Sequence, residues 1–220
     1  PLKYLAACEL GLKIDTRRLD LHKARMNDLL ELNNQEYFEI LRTGEFLKPD
    51  DYLDLLMTIN ILTQPQDHPR IRMLVSGILP PNPEMLAALD TLGVSIVAED
   101  LLSGSRRIPI ISMDKPESPE TYLAERFFLL PPCSTRGGSL YDRLKYLRKL
   151  ISTSNAQGVL FNIVKFCEPE LFDQRMLVKS LKALDIPVLS LETELQPGIS
   201  GQDHTRIEAF AERLNDEVTA

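Results

Sequence analysis

The stretch GVLFNIVKFCEP, at residues 158–169, consists of a mainly apolar run interrupted by Asn162, a short turn and a proline. A nearly continuous apolar run of this length is typical of a strand that is buried on both faces, as the strands of a parallel sheet are. Proline is favoured at the first position of a helix because it has no backbone N–H to leave unpaired. The stretch therefore predicts a strand at Gly158–Val164 that leads through a short turn into a helix from about Pro169.

Three further apolar runs flank this strand, and helical patterns separate them. The additional predicted strands cover residues 71–76, 94–98 and 188–191. Three of the predicted helices cover residues 83–92, 119–128 and 169–184. A fourth has its apolar face at positions 140, 144, 147 and 151, and a fifth follows residue 201. Alternation of this kind is typical of βα units around a parallel sheet. We therefore predict an α/β fold, a three-layer sandwich with a parallel sheet of about four strands.

Residues 1–65 show helical patterns instead, with one helix predicted over residues 15–33 and another after Asp50. The polar segment at residues 64–69 contains two prolines and marks a connection. We therefore predict a helical segment at residues 1–65 and an α/β domain at residues 66–220. The chain begins without a Met, and both a fragment and a naturally short protein stay open.

The composition excludes several classes of protein. The chain has 220 residues, of which 44% are hydrophobic, and a formal net charge of -7, which argues against nucleic-acid binding because such binders carry a basic face. Its three cysteines are too few for the disulfide framework of a secreted domain, so we expect a reducing, cytoplasmic location. No apolar run reaches the roughly 20 residues that span a membrane, and we expect no signal peptide and no nucleotide-binding glycine motif.

Two of the cysteines are the strongest candidates for chemistry. Cys167 follows the central predicted strand and precedes the helix from Pro169, and a helix N-terminus favours the thiolate form that binds metals. Cys133 lies in the proline-stiffened loop LPPCS at residues 130–134 and should reach the same edge of the sheet. Two thiolates on one edge suit zinc, copper or an iron-sulfur cluster. The alternative is that both thiols only pack in the core, which is also our interpretation of Cys8.

In open parallel sheets ligands bind at the carboxyl ends of the strands, where this chain places Ser76, Glu99, Asp100, Cys167 and Thr193. The nearby loop LSGSRR, at residues 102–107, offers hydroxyl and guanidinium groups for a phosphate or carboxylate. The candidate substrate-binding residues are Ser103, Ser105, Arg106 and, in the last helix, Gln202. A solvated loop and helix capping explain these residues adequately, so both interpretations stay open.

Several of these segments, taken in order, resemble one enzyme family. They are residues 158–169, IPVLSLETE at 186–194, GQDHTRIEAF at 201–210, the Glu99-Asp100 pair with SGSR at 103–106, and the Pro-Pro-Cys that ends at Cys133. They resemble the D-component family of 2-hydroxyacyl-CoA dehydratases, which includes subunits of ATP-dependent benzoyl-CoA reductase. The resemblance covers most of the chain.

The resemblance implies a subunit with two flavodoxin-like domains, so that residues 1–65 would be inter-domain helices and residues 66–220 one flavodoxin-like domain. It also implies a 4Fe–4S cluster held between the domains by three cysteines. Cys133 and Cys167 match two ligand positions, and the third cysteine ligand is expected outside this chain. Leu102 departs from the pattern, because many relatives carry a cysteine in that loop.

The implied activity is radical dehydration of a 2-hydroxyacyl-CoA, in which one-electron transfer from the cluster to the thioester carbonyl forms a ketyl that expels hydroxide. The implied partners are an acyl-CoA substrate, a homologous second subunit in a homo- or heterodimer, and a separate ATP-dependent iron-sulfur activator protein. Two alternatives stay open. One is an acyl-CoA reductase subunit like that of benzoyl-CoA reductase, and the other is a non-catalytic flavodoxin-like binding or assembly module.

Overall fold

The structure is a computed structural model that describes single positions between residues 47 and 55 and four longer parts of the chain, residues 34–43, 71–107, 118–195 and 198–219. The helix that the sequence predicts over residues 15–33 and the connection at residues 64–69 lie outside the described residues. Of the helix predicted after Asp50, the described positions Asp51, Asp54 and Leu55 are helical. The division of the chain near residue 65 stays a prediction.

The described residues contain one sheet of four parallel strands: β1 (Ile71–Gly77), β2 (Val94–Leu101), β3 (Gly158–Val164) and β4 (Val188–Thr193). Their order across the sheet is β2-β1-β3-β4. This is the order of a flavodoxin-like sheet, in which the chain winds outward in opposite directions from β1 and β3. The predicted α/β fold is therefore confirmed.

Helices cover both faces of this sheet, and together the layers form the predicted sandwich. On one face lies a core that includes Phe38, Leu89 and Phe210, and on the other a core that includes Leu147 and Leu181. The helices of the first face are α1 (Asn34–Thr43), α2 (Pro83–Thr91) and α6 (Gly201–Thr219). The helices of the second face are α4 (Leu140–Ser154) and α5 (Glu168–Lys182). The remaining described helix, α3, is Pro119–Phe128. None of the described helices has the length and apolar character needed to cross a membrane.

The predicted boundaries of α2 illustrate how local sequence sets these elements. Asn82 is the N-cap, and its Oδ1 accepts a hydrogen bond from the backbone N–H of Met85 at 2.8 Å. Pro83 opens the helix, where a missing N–H costs nothing. Gly93 follows the helix with a φ of 71°, a left-handed conformation that glycine adopts without steric conflict. Both predicted ends of this helix are confirmed.

Strand β2 continues past its predicted end at Ala98 to Leu101. Glu99 and Asp100, which the sequence places beyond the strand, pair in register with Val75 and Ser76 of β1. Both carboxylates are buried, because hydrogen bonds and ion pairs inside the fold replace the water that such groups ordinarily need. The polar pair therefore ends the apolar pattern without ending the strand.

Strands β1 and β3 approach each other closely at their carboxyl ends. A Cβ on Gly77 would lie 2.2 Å from the backbone oxygen of Asn162, so a larger residue would push the strands apart. Sheets with this strand order bind ligands in the crevice outside the carboxyl ends of these two strands. The candidate site lies at this edge of the sheet.

Candidate functional site

A buried cluster of polar side chains lies at the carboxyl edge of the sheet, on the face covered by α4 and α5. We call it the edge cluster, and its members are Ser76, Asp100, Arg106, Cys133, Arg143 and Glu170. They come from the ends of β1 and β2, the short turn Ser105–Arg107, the position before the turn Ser134–Arg136, and the first turns of α4 and α5. Because charged groups are costly to bury unless they are paired, their partners determine what the cluster can do.

Asp100 is the centre of the edge cluster. Its carboxylate accepts a hydrogen bond from Ser76 Oγ at 2.6 Å. Arg106 donates from Nε to Oδ1 at 2.7 Å and from Nη2 to Oδ2 at 3.1 Å, while Arg143 donates from Nη1 to Oδ1 at 2.8 Å. Burial alone would raise the pKa of Asp100, but the charges of Arg143 and Arg106 outweigh it and hold the pKa below its ordinary value. Asp100 is therefore an ionised carboxylate between two guanidinium groups.

Arg106 connects Asp100 to the elements that carry the cysteines. Its Nη1 donates to Glu170 Oε1 at 2.9 Å and to the Sγ of Cys133 at 3.6 Å. Although burial acts to lower the pKa of the Arg106 guanidinium, the Asp100 and Glu170 carboxylates raise it above its ordinary value. Arg106 and Arg143 together balance the formal charges of Asp100 and Glu170.

Cys133 precedes the turn Ser134–Arg136 and is only 1% exposed. Its Sγ lies 3.1 Å from Thr135 Oγ1 and accepts the hydrogen bond from Arg106. Burial acts to raise the pKa of the thiol, but the hydrogen bond with Thr135 and the charge of Arg106 together lower it below its ordinary value. Since the thiolate is the form that binds metals, these surroundings favour a metal ligand.

Cys167 is the residue before α5, and its backbone oxygen accepts a hydrogen bond from the N–H of Leu171 at 3.0 Å. Its side chain is partly exposed. The preceding Phe166 is 92% exposed. Its φ of 67° is a strained backbone conformation for a bulky residue. Glu170 lies in the first turn of the same helix, and the turn after Cys133 packs against α5. The structure thus brings the two cysteine-bearing segments together at the edge cluster.

A second buried carboxylate, Glu99, holds the loop that leads to Arg106. Its Oε2 accepts a hydrogen bond from the N–H of Leu101 at 2.7 Å, and its Oε1 accepts one from the N–H of Ser105 at 2.6 Å. A Cβ on Gly104 would lie 2.6 Å from Oε1, so glycine lets the loop close over the carboxylate. Burial raises the pKa of Glu99 to about 7.

The four residues that the sequence proposes for substrate binding lie in different surroundings. Arg106 is fully buried in the edge cluster, and the Ser105 hydroxyl donates a hydrogen bond to the backbone oxygen of Glu99 at 2.7 Å. Ser103 Oγ is buried and has no hydrogen-bond partner in the described part of the chain. Gln202 is exposed in the first turn of α6, a helix that packs on the opposite face of the sheet. Their roles in substrate binding stay predictions.

Arg143 and Glu170 are not among the residues that the sequence indicates for the site. Each shares an apolar helix face with a buried leucine, Arg143 with Leu147 on α4 and Glu170 with Leu177 on α5. Residues four or seven positions apart lie on one face of a helix. A charged residue on such a face needs a buried partner, and this pattern is the signal that could have identified both.

The described residues offer two thiols for a metal group. In the ranges that the structure describes, no group of three or more His, Cys, Asp or Glu side chains is placed to hold a metal ion. A buried thiol that accepts an N–H hydrogen bond nonetheless fits an iron-sulfur ligand, because such bonds to sulfur tune these clusters. The described residues therefore fit part of the ligand set of a cluster.

Residues 3–214 match the family model described as "2-hydroxyglutaryl-CoA dehydratase, D-component". The chain is 31% identical to the (R)-phenyllactyl-CoA dehydratase beta subunit of Clostridium sporogenes, over 65% of this chain and 38% of that protein. It is 28% identical to the (R)-2-hydroxyglutaryl-CoA dehydratase subunit beta of Acidaminococcus fermentans, over 80% of this chain and 48% of that protein. It is 25% identical to the lactoyl-CoA dehydratase subunit beta of Anaerotignum propionicum, over 69% of this chain and 40% of that protein. The chain thus spans less than half the length of these relatives.

Proposed function

The chain belongs to the 2-hydroxyglutaryl-CoA dehydratase D-component family, and we propose that it is a cluster-binding part of a subunit of a 2-hydroxyacyl-CoA dehydratase-like enzyme. The environment of Cys133 carries this proposal. The thiol is buried, its sulfur accepts a hydrogen bond from Arg106, and its pKa is lowered. These are the surroundings of a ligating thiolate, whereas a thiol that only packs has no need of a neighbouring cation.

We propose Cys133 and Cys167 as two of three cysteine ligands of a 4Fe–4S cluster, with the third from outside this chain. Support comes from the packing of the turn after Cys133 against α5, the helix that Cys167 precedes. When bound, the cluster would supply one electron to the thioester carbonyl of an acyl-CoA to form a ketyl, and the electron would return after hydroxide and a proton have left, so that the dehydration is redox-neutral. The part of this chain is to hold the two sulfur atoms and to keep water away from Cys133.

The proposed substrate is a 2-hydroxyacyl-CoA, because the three relatives are named as dehydratases of such thioesters. Of the residues proposed for substrate binding, Ser103 is best suited, since its buried Oγ lacks a hydrogen-bond partner among the described residues and a buried hydroxyl is costly to leave unpaired. The proposed partners are a homologous second subunit and an ATP-dependent iron-sulfur activator that delivers the electron.

The test is an anaerobic assay of the complete enzyme with its partner subunit, the activator, ATP and (R)-phenyllactyl-CoA or another 2-hydroxyacyl-CoA. We expect the 2-enoyl-CoA product, and we expect its formation to be lost in Cys133→Ala and in Cys167→Ala. Cys8→Ala is the matched control and should retain activity. Turnover that survives both substitutions would contradict the proposal, and reduction of an acyl-CoA without dehydration would favour the reductase alternative.

A further inference from the structure

Arg106 is a fully buried arginine whose five N–H donors all have acceptors inside the edge cluster. Asp100 accepts from Nε and Nη2, and Ser76 Oγ accepts from Nη2 at 3.5 Å. Glu170 and Cys133 share the donors of Nη1. A planar guanidinium with every donor engaged is held in one position and one orientation.

Asp100 does not depend on Arg106 for a counter-ion. Arg143 already approaches both carboxylate oxygens, at 2.8 Å for each pair of atoms. A second buried arginine is costly unless it has an anion of its own, and Glu170 is that anion, at 2.9 Å. Of the two arginines in the edge cluster, Arg106 is the one that contacts Glu170 and Cys133.

We propose that Arg106 is a positioning residue for the iron-sulfur cluster site. It holds the segments of Cys133 and Cys167 in fixed relation and donates a hydrogen bond to the Cys133 sulfur. The contact with Cys133 is direct. The link to Cys167 runs through Glu170, which lies in the first turn of the helix that Cys167 precedes. This inference rests on the proposed function, because the hydrogen bond bears on electron transfer only where the sulfur is a cluster ligand.

The hydrogen bond determines a measurable property of the loaded site. An N–H donor and a positive charge beside a ligating sulfur stabilise the reduced, more negative form of a cluster, and so raise its reduction potential. Lysine cannot reproduce the contacts, because its donors radiate from one nitrogen and cannot span several acceptors as a planar fork does. Loss of Arg106 therefore lowers the potential. Loss of the Glu170 charge raises it, because the positive charge of Arg106 is then uncompensated.

The test is a redox titration of the cluster in the anaerobically reconstituted complete subunit. We expect Arg106→Gln to shift the midpoint potential to a lower value and Arg106→Lys to shift it less in the same direction. Glu170→Gln, which keeps an oxygen acceptor, should shift it to a higher value. Arg72→Gln is the matched control, because Arg72 lies at the amino end of β1, away from the edge cluster, and donates to the backbone oxygen of Ser154. The potential of this variant should equal that of the wild type.

Opposite shifts in the Arg106 and Glu170 variants would support the inference, because general loosening of the site would move both in one direction. Arg106 variants that retain the cluster at the wild-type potential would overturn it. If both Arg106 variants fail to fold, Glu170→Gln decides alone: a raised potential supports the inference and an unchanged one contradicts it. A wild-type subunit that takes up no cluster contradicts the proposed function instead, so the two failures are distinguishable.

Discussion

Arg143 and Asp100 form a two-point ion pair that solvent does not reach. Nη1 donates to Oδ1 at 2.8 Å, and Nη2 lies 2.8 Å from Oδ2. The arginine side chain is 1% exposed and the aspartate 0%. Because Arg143 belongs to α4 and Asp100 to β2, the pair ties a helix layer to the sheet beside the cysteine-bearing segments.

Asp100→Asn is expected to lower the free energy of unfolding by about 3–5 kcal/mol, because it leaves two buried guanidinium groups with Glu170 as the remaining anion of the edge cluster. Urea denaturation of the wild type and the variant measures this loss. Asp142→Asn, at an exposed position of α4, is the matched control and should cost about 1 kcal/mol or less. Equal losses in the two variants would show that the buried charges do not matter.

Gly77→Ala is expected to destabilise the chain by about 2 kcal/mol or more, because its Cβ has no room between the carboxyl ends of β1 and β3. The control is Gly201→Ala at the start of α6, where a Cβ would meet nothing within 4 Å. Thermal unfolding should show a clearly lower midpoint temperature for the Gly77 variant than for the wild type, and a midpoint close to that of the wild type for the control. A Gly77 variant as stable as the wild type would mean that the strands do not approach as described.

Glu99→Gln is expected to change how stability depends on pH. The folded pKa of Glu99 is about 7, above its ordinary value of 4.5, so the folded chain keeps this proton to higher pH than the unfolded chain does. The contribution of the wild-type carboxyl is therefore full below about pH 4.5 and is lost as the pH rises through about 7, with a change on the order of 3 kcal/mol.

The measurement for Glu99 is the difference in unfolding free energy between wild type and Glu99→Gln, followed from about pH 5 to about pH 8. The wild type should lose stability relative to the variant across this range. Glu194→Gln is the surface control. Hydrogen bonding to Lys165 lowers the pKa of Glu194, so that carboxyl stays ionised, and the difference in unfolding free energy between wild type and this variant should not change with pH. A flat difference for Glu99 as well would contradict the raised pKa.

Phe166→Gly is expected to be more stable than Phe166→Ala by about 1 kcal/mol, because glycine adopts a left-handed conformation without the steric cost that a Cβ brings. The two variants control for each other, since both remove the exposed ring. Urea denaturation of the pair measures the difference. An alanine variant at least as stable as the glycine variant would argue against strain in the turn that precedes Cys167.

Most of the described fold was predictable from local sequence patterns. Buried parallel strands such as Gly158–Val164 are nearly continuous apolar runs, and helix ends carry capping residues such as Asn82. The end of β2 was not predictable in this way. Glu99 and Asp100 resemble the start of a loop. The burial of Glu99 depends on backbone N–H groups of the loop that folds back over it, and that of Asp100 on Arg143, which comes from another segment of the chain.

The candidate site was predictable in part. The placement of Cys133 and Cys167 near strand ends follows from the order of the elements, because the carboxyl ends of parallel strands share one edge. Arg106 lies among serine and glycine residues, a composition typical of solvated loops, yet the structure buries it completely. Its counter-charges include Glu170, which is distant in sequence, and no local pattern reports such a contact.

Cys133 and Cys167 are proposed to hold an iron-sulfur cluster, and the iron and acid-labile sulfide content of the complete subunit after anaerobic reconstitution tests this claim. We expect about four iron and four sulfide per subunit, a marked loss of both in Cys133→Ala and in Cys167→Ala, and no loss in Cys8→Ala. A wild-type subunit that stays free of iron and sulfide would contradict the claim, and so would Cys133 and Cys167 variants that keep the full wild-type content.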